Sequence, residues 1–275
     1  MVILAALLWS TGGLIVRELG PIDSWTIVFW RSLTAFAFLL VLGLVQEGRR
    51  FPQAIVRMGW PGLVIAACYT VASIGFVVAS KLTTVAEVLI IMACAPLLAA
   101  LLGRLVIGER LNALGWLAMA ASVIGIGMMV SDSFAHGSIA GDLVALAIAC
   151  AVAVSTVTFR KSSHVSLVPG VCLAALFAMI LALPLAHPWR LPARELCLVT
   201  FFGAGQLGLG LALFASGARL IPATLTAMLG VLEPLIGPFW VWLAFGEKPS
   251  PAGLAGGTIV IAALVVFLLA GLRRR

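Results

Sequence analysis

An all-α integral membrane protein is the fold class this sequence predicts, and three observations carry that expectation. Of the 275 residues, 63% are hydrophobic and only 10% charged, with a mean hydropathy of +1.21. A soluble domain carries about 25% charged residues to cover its surface, so the outer face here must meet lipid. Apolar runs of about 20 residues, the length of a membrane-spanning helix, recur along the whole chain without strand-like alternation. The formal charge of +7 sits mostly between those runs, where it reads as a topology signal and not as a nucleic-acid footprint.

Ten spans are predicted, over 1–17, 24–45, 57–80, 86–107, 112–130, 140–160, 167–187, 195–217, 223–245 and 251–271. The first, from Met1 to Val16, lacks a basic leader and a clear cleavage site, so it reads as a retained helix. The second carries Arg31 well inside its apolar run, and the third places Tyr69, Ser73 and Phe76 on one face at helical spacing. The fourth has Glu87 near one end, within reach of the interface, and Pro96 near its middle. The fifth follows a cap expected at Asn112. The sixth carries Ser155 and Thr156, and the seventh nothing polar. The eighth contains Gly203, Gly205, Gly208 and Gly210 with Gln206 among them, a pattern that suits close helix packing and not nucleotide binding. The ninth sets Thr226, Gly230 and Glu233 on one face beside Pro234, and the tenth follows a cap at Ser250 with Pro251 at its first position.

With a cytoplasmic N-terminus, eleven basic residues fall inside: Arg49, Arg50, Arg57, Arg104, Arg110, Arg160, Lys161, Arg219, Arg273, Arg274 and Arg275. Five fall outside, namely Arg17, Lys81, Arg190, Arg194 and Lys248. The positive-inside rule therefore places both termini in the cytoplasm of a bacterial-type inner membrane.

Several functions are excluded or disfavoured. None of Lys81, Lys161 and Lys248 follows a glycine, so there is no phosphate-binding loop for ATP-driven transport. The nine loops leave no room for a soluble catalytic domain. His136, His164 and His187 lie in loops or at helix ends, and no G-x-S-x-G occurs, which leaves an intramembrane enzyme without a catalytic set. A non-transporting membrane subunit would leave the polar helix faces without purpose. The five cysteines Cys68, Cys94, Cys150, Cys172 and Cys197 are an odd count scattered through apolar runs, which fits neither a disulfide framework nor a zinc site. No cofactor or metal is expected.

An internal repeat organises the chain. Displaced by 138 positions, Pro96-Leu97 falls on Pro234-Leu235, Leu105 on Leu243, Gly108-Glu109 on Gly246-Glu247, and Gly115 on Gly253. Five spans per copy send the second half into the membrane from the opposite side, so the halves are expected to be inverted repeats: 1–130, a linker at 131–139, and 140–275 with a short basic tail. That architecture belongs to secondary transporters, and interrupted helices at matching positions point to the binding region. Pro96 and Pro234 are the candidate breaks, and Glu109 and Glu247 are expected to serve structure or gating near helix ends.

These marks, with Trp9-Ser10 in the first span and Arg31 ten residues after Pro21 in the second, resemble the paired signature of EamA-type members of the drug/metabolite transporter superfamily. The resemblance implies ten helices in two inverted units, alternating access and export of small metabolites. Among the members, the chain is most similar to amino-acid exporters, those for aromatic amino acids included. It departs at the sixth span, where Val154 stands in place of Trp9.

The candidate substrate site comprises Trp9, Ser10, Tyr69, Ser73, Gln206, Gly210, Thr226, Gly230 and Glu233. Ionisable groups inside hydrocarbon are costly and point to function; Arg31 and Glu233 are the two clear cases. Glu233 either titrates or binds an amine, or it mends the backbone left unpaired by Pro234. Arg31 either tethers helices through an ion pair or binds a substrate carboxylate. Phosphorylated substrates would call for several basic residues at depth. One basic residue, one carboxylate, one amide and several aromatics suit a small zwitterion with an apolar side chain. Amino acids are the first reading, and lipophilic cations or drugs the alternative. Protons are the candidate coupling ion, with simple facilitation the other choice; the expected partners are the substrate and the bilayer, and the expected state is a monomer.

Overall fold

The computed structural model describes residues 1–108, 113–136, 139–162, 167–187, 191–218, 220–221, 226 and 229–272, with backbone alone at 49, 131–136, 167 and 270–272. Glu109, Asn112, Arg110, His164, Arg190, Arg219 and Arg273, Arg274 and Arg275 lie outside the described residues. Every regular element among the described residues is helical. Seven segments are long and apolar enough to cross a membrane: Ser24–Glu47, Gly59–Leu82, Val85–Ile107, Ala113–Val130, Ile139–Lys161, Ala193–Ala218 and Pro251–Leu269. Outward-facing residues such as Val45, Leu105, Leu117 and Val123 are apolar and exposed, as required where lipid is the solvent.

The first predicted span is not continuous. It divides into α1 (Val2–Ser10) and α2 (Gly12–Glu18) at Thr11. The hydroxyls of Ser10 and Thr11 donate to the carbonyls of Leu7 and Leu8 at 2.8 and 2.7 Å, competing with the helix ladder at that point. α3 (Ser24–Glu47) starts on Asp23, whose carboxylate accepts the Thr26 amide at 2.8 Å. A short connection, α4 (Phe51–Arg57), turns the chain into α5 (Gly59–Leu82).

The fourth span is also interrupted, as α6 (Val85–Met92) and α7 (Ala95–Ile107). Pro96 occupies the second position of α7, where a residue without an amide proton starts a helix more readily than it continues one. Glu87 does not reach the interface as the sequence suggested. It is buried and folds back, accepting the Thr84 amide at 3.1 Å and the Thr83 hydroxyl, while Thr84 Oγ1 accepts the Glu87 amide at 3.2 Å. This reciprocal arrangement satisfies the amides that open α6.

α8 (Ala113–His136), α9 (Ile139–Lys161) and α10 (Leu167–Ala182) follow. The eighth span departs most from expectation: α11 (Ala193–Thr200) runs into a π-helix at Phe201–Leu209 and then α12 (Gly210–Ala218). Three glycines inside the π stretch weaken its preference for α geometry. A Cβ on Gly203 would lie 2.2 Å from the Arg31 carbonyl oxygen, so only glycine allows the π segment to lie directly on α3.

α13 (Leu232–Phe245) contains Pro238, and α14 (Pro251–Leu272) is capped by Ser250, whose Oγ accepts the Gly253 amide at 2.9 Å. Pro96 and Pro234 stand at the second and third positions of α7 and α13. Gly108 and Gly246 end those helices with left-handed φ values of 78° and 68°. The main core joins α2, α3, α5, α6, α9, α10 and the π segment around Ile27, Val88, Ile148 and Phe202.

Candidate functional site

Arg31 lies on the inner face of α3 and is buried at 5% exposure. Its Nη1 donates to the carbonyl and the hydroxyl of Ser73 on α5, at 3.1 and 3.3 Å. The guanidinium lies 4.3 Å from the Phe202 ring centroid and 5.8 Å from that of Phe76. Two aromatic faces thus supply the electrostatic attraction that water would otherwise provide. Its Nε has no partner among the described residues. Glu233, at the start of α13, is within electrostatic reach of the guanidinium.

A second group gathers one helix away. Gln206, in the π segment, donates from Nε2 to the Trp9 carbonyl at 3.0 Å, where the break at Thr11 has interrupted the helix. The Trp9 indole lies close against Gly210: a Cβ there would be 2.4 Å from the indole nitrogen. Trp9 also meets Phe214 in a tilted pair, ring centroids 5.2 Å apart. Gln206 Oε1 and Trp9 Nε1 are buried and have no partner among the described residues. Burying an acceptor or a donor without a partner costs about 1–3 kcal/mol each, so a place holding both is suited to a bound polar group.

The sequence-predicted residues therefore divide. Trp9, Gln206 and Gly210 form one group and Arg31 with Ser73 another, with Glu233 in electrostatic reach of Arg31; the two groups are bridged at Gly12, where a Cβ would meet Gln206 Nε2 at 2.8 Å and the Phe76 ring at 3.3 Å. Ser10 is adjacent but fully engaged, donating to Leu7 and accepting the Trp240 indole N–H at 3.1 Å; it fixes α1 against α13. Tyr69 lies one turn along α5 from Ser73, its phenol facing the Ser155 hydroxyl and its ring packed near Leu39, Phe51 and Cys172. Thr226 is buried, and Gly230 borders open space. Of the two prolines, Pro234 is buried and Pro96 exposed.

Sequence reasoning missed Phe202, Trp240 and Asp142. Phe202 and Trp240 looked like ordinary apolar positions. Asp142, buried in the first turn of α9, had a readable signal, since an acid there complements the helix dipole.

Apolar membrane-crossing helices around a buried polar cluster, with helix breaks at the cluster, define a polytopic membrane protein of the carrier type. The chain belongs to the EamA-like transporter family, whose model matches it twice, over residues 1–131 and 139–269. It is 25% identical over 270 residues to an uncharacterized transporter of Archaeoglobus fulgidus, covering 96% of this chain and 94% of that one. It is also 25% identical over 287 residues to an uncharacterized transporter of Vibrio cholerae serotype O1, covering 99% and 92%. A protein of known crystal structure shares the fold at 22% identity, with a TM-score of 0.69 over 98% of this chain and 96% of the other.

Proposed function

We propose that the protein is a ten-span exporter of amino acids, aromatic ones included, working by alternating access between two inverted repeats, 1–130 and 140–275, with both termini in the cytoplasm. The observation that carries this reading is a pair of buried polar groups inside the bundle: Trp9 with Gln206, whose Nε1 and Oε1 have no partner among the described residues, and Arg31, whose Nε has none either, with Glu233 in electrostatic reach of Arg31. An amino acid carries both halves of the complement. Its carboxylate accepts from the indole and the guanidinium, and its ammonium donates to the amide oxygen and the Glu233 carboxylate. The apolar walls of Phe76, Phe202 and Trp9 suit an apolar or aromatic side chain.

The two separate family matches, and the equivalent places of Pro96 and Pro234 and of Gly108 and Gly246, support the repeat. A buried cation at the centre disfavours a cationic drug as substrate, since like charges repel at this depth.

The test is flux of labelled amino acids through liposomes containing the purified protein, with and without a pH gradient. Saturable flux of aromatic amino acids is expected. Efflux of lipophilic cations with no amino-acid flux would replace this reading with drug export. Acceleration by the gradient that disappears in Glu233→Gln makes Glu233 the proton carrier, and flux indifferent to both makes the protein a facilitator. Tyr69→Ala is expected to lower flux with the protein folded; unchanged saturation kinetics would remove Tyr69 from the cavity.

A further inference from the structure

We propose that Arg17 and Glu247 are gating residues: a clasp between the two halves of the chain that holds the substrate site closed at the end of the bundle where α2 stops, and that must open for access from that side. The proposal goes beyond the substrate assignment but rests on the alternating-access reading.

Three elements meet at that end, α2 and α6 from the first half and α13 from the second. α2 is separated from α1 by the break at Thr11, and α6 from α7 by the break at Ala93-Cys94. The first break lies beside the Trp9 carbonyl that Gln206 holds, and each break lets a half-helix tilt without dragging its other half. Their mutual packing is by side chains seated in glycine sockets. A Cβ on Gly237 would lie 2.3 Å from Leu89 Cδ1, and one on Gly13 would lie 2.2 Å from Val85 Cγ1. Leu89 and Val85 thus plug the space directly beyond Ser10 and Trp240.

Glu247 closes over this plug. It follows Gly246, whose left-handed φ of 68° turns the chain back over the bundle. Its Oε2 accepts from Arg17 Nε at 2.6 Å and its Oε1 from Arg17 Nη2 at 3.2 Å, a bidentate geometry. The same Oε1 accepts the Val85 amide at 2.9 Å, and Arg17 Nη2 donates to the Thr83 carbonyl at 2.8 Å. One carboxylate therefore ties the end of α2 and the start of α6 to α13.

The neighbouring pair, Glu18 with Arg194, also joins the two halves, but its side chains are 37% and 65% exposed against 24% and 20% for Arg17 and Glu247. Exposed pairs contribute about 0–1 kcal/mol. The partly buried, four-bond arrangement of Arg17 and Glu247 is the one able to bias the conformation.

The test introduces a thiol by Leu89→Cys in the full chain, held in lipid nanodiscs so that both faces are open to reagent, and follows its reaction with a membrane-impermeant maleimide by peptide mass. The native Cys172, buried on α10 away from this end, reports global loosening in the same sample. With Arg17 and Glu247 intact, labelling at position 89 is expected to be slow. Adding Glu247→Gln is expected to speed it about tenfold, the change that losing one charge-assisted hydrogen bond gives, while Cys172 stays unreactive. Arg17→Lys is expected to be intermediate, and Arg194→Ala to leave the rate unchanged. An unaltered rate at position 89 in Glu247→Gln would overturn the clasp, and so would equal acceleration at Cys172. Neither readout involves substrate, so a failed flux measurement and a failed clasp are told apart.

Discussion

The α8–α14 pair and the trio α2, α6 and α13 are both built largely of apolar residues, yet they are joined in opposite ways. α8 and α14 are continuous, and they touch backbone to backbone: a Cβ on Gly256 would lie 2.4 Å from the Gly125 carbonyl oxygen, and one on Gly125 would lie 2.6 Å from that of Gly256. Such a contact fixes the crossing point, because neither partner has a side chain that can withdraw. In the trio, by contrast, side chains of Leu89 and Val85 sit in glycine sockets, and a polar clasp covers them. A seated side chain can leave its socket as a unit. Rigid scaffold and movable gate are therefore separated by whether glycine faces backbone or side chain, not by composition.

Four substitutions probe that contrast, in falling order of effect. Gly256→Leu must push α14 off α8 and is expected to cost about 3 kcal/mol or more, read as loss of monodisperse protein in detergent; a normal melt would mean the pair is not fixed at that point. Arg31→Gln removes the cation held by Ser73, Phe76 and Phe202. About 2 kcal/mol of charge-assisted bonding is lost, and flux is expected to fall at least about tenfold while the α8–α14 scaffold stays folded. Gln206→Leu deletes the unpartnered acceptor but also the Nε2 bond to the Trp9 carbonyl, so stability is expected to change by no more than about 1 kcal/mol, while KM rises about tenfold through the lost ligand bond. An unchanged KM would remove the amide from the site. Arg194→Ala breaks only an exposed pair and is expected to change stability by less than about 0.5 kcal/mol.

Much of this architecture was legible in the amino-acid order. Length and apolarity of the runs gave the helices, and the Gly108 and Gly246 stops, the Pro96 and Pro234 starts and the Ser250 cap follow from residue chemistry that acts locally. The inward placement of Arg31, Ser73 and Gln206 was partly legible, because polar residues in an apolar run tend to face inward. Three features were not. The break at Thr11 depends on hydroxyls that elsewhere sit harmlessly in helices; Thr34, for one, bonds to the Trp30 carbonyl at 2.8 Å inside an unbroken α3. The π geometry of Phe201–Leu209 comes from Gly203 lying on the α3 backbone, a tertiary contact. The Arg17–Glu247 clasp joins residues 230 apart: a structural or gating role was legible for Glu247 at its helix end, but its partner was not, because Arg17 alone reads as an outside loop charge.

The break at Thr11 has a kinetic consequence. In hydrocarbon, bending a helix ordinarily uncovers carbonyls, and each costs several kcal/mol on the way over the barrier. Here the Leu7 and Leu8 carbonyls are already bonded by the hydroxyls of Ser10 and Thr11. A swing of α2 about this pivot keeps those two carbonyls bonded, which lowers the barrier at the pivot and shifts control of gate opening toward the far end of the lever, where Glu247 lets go.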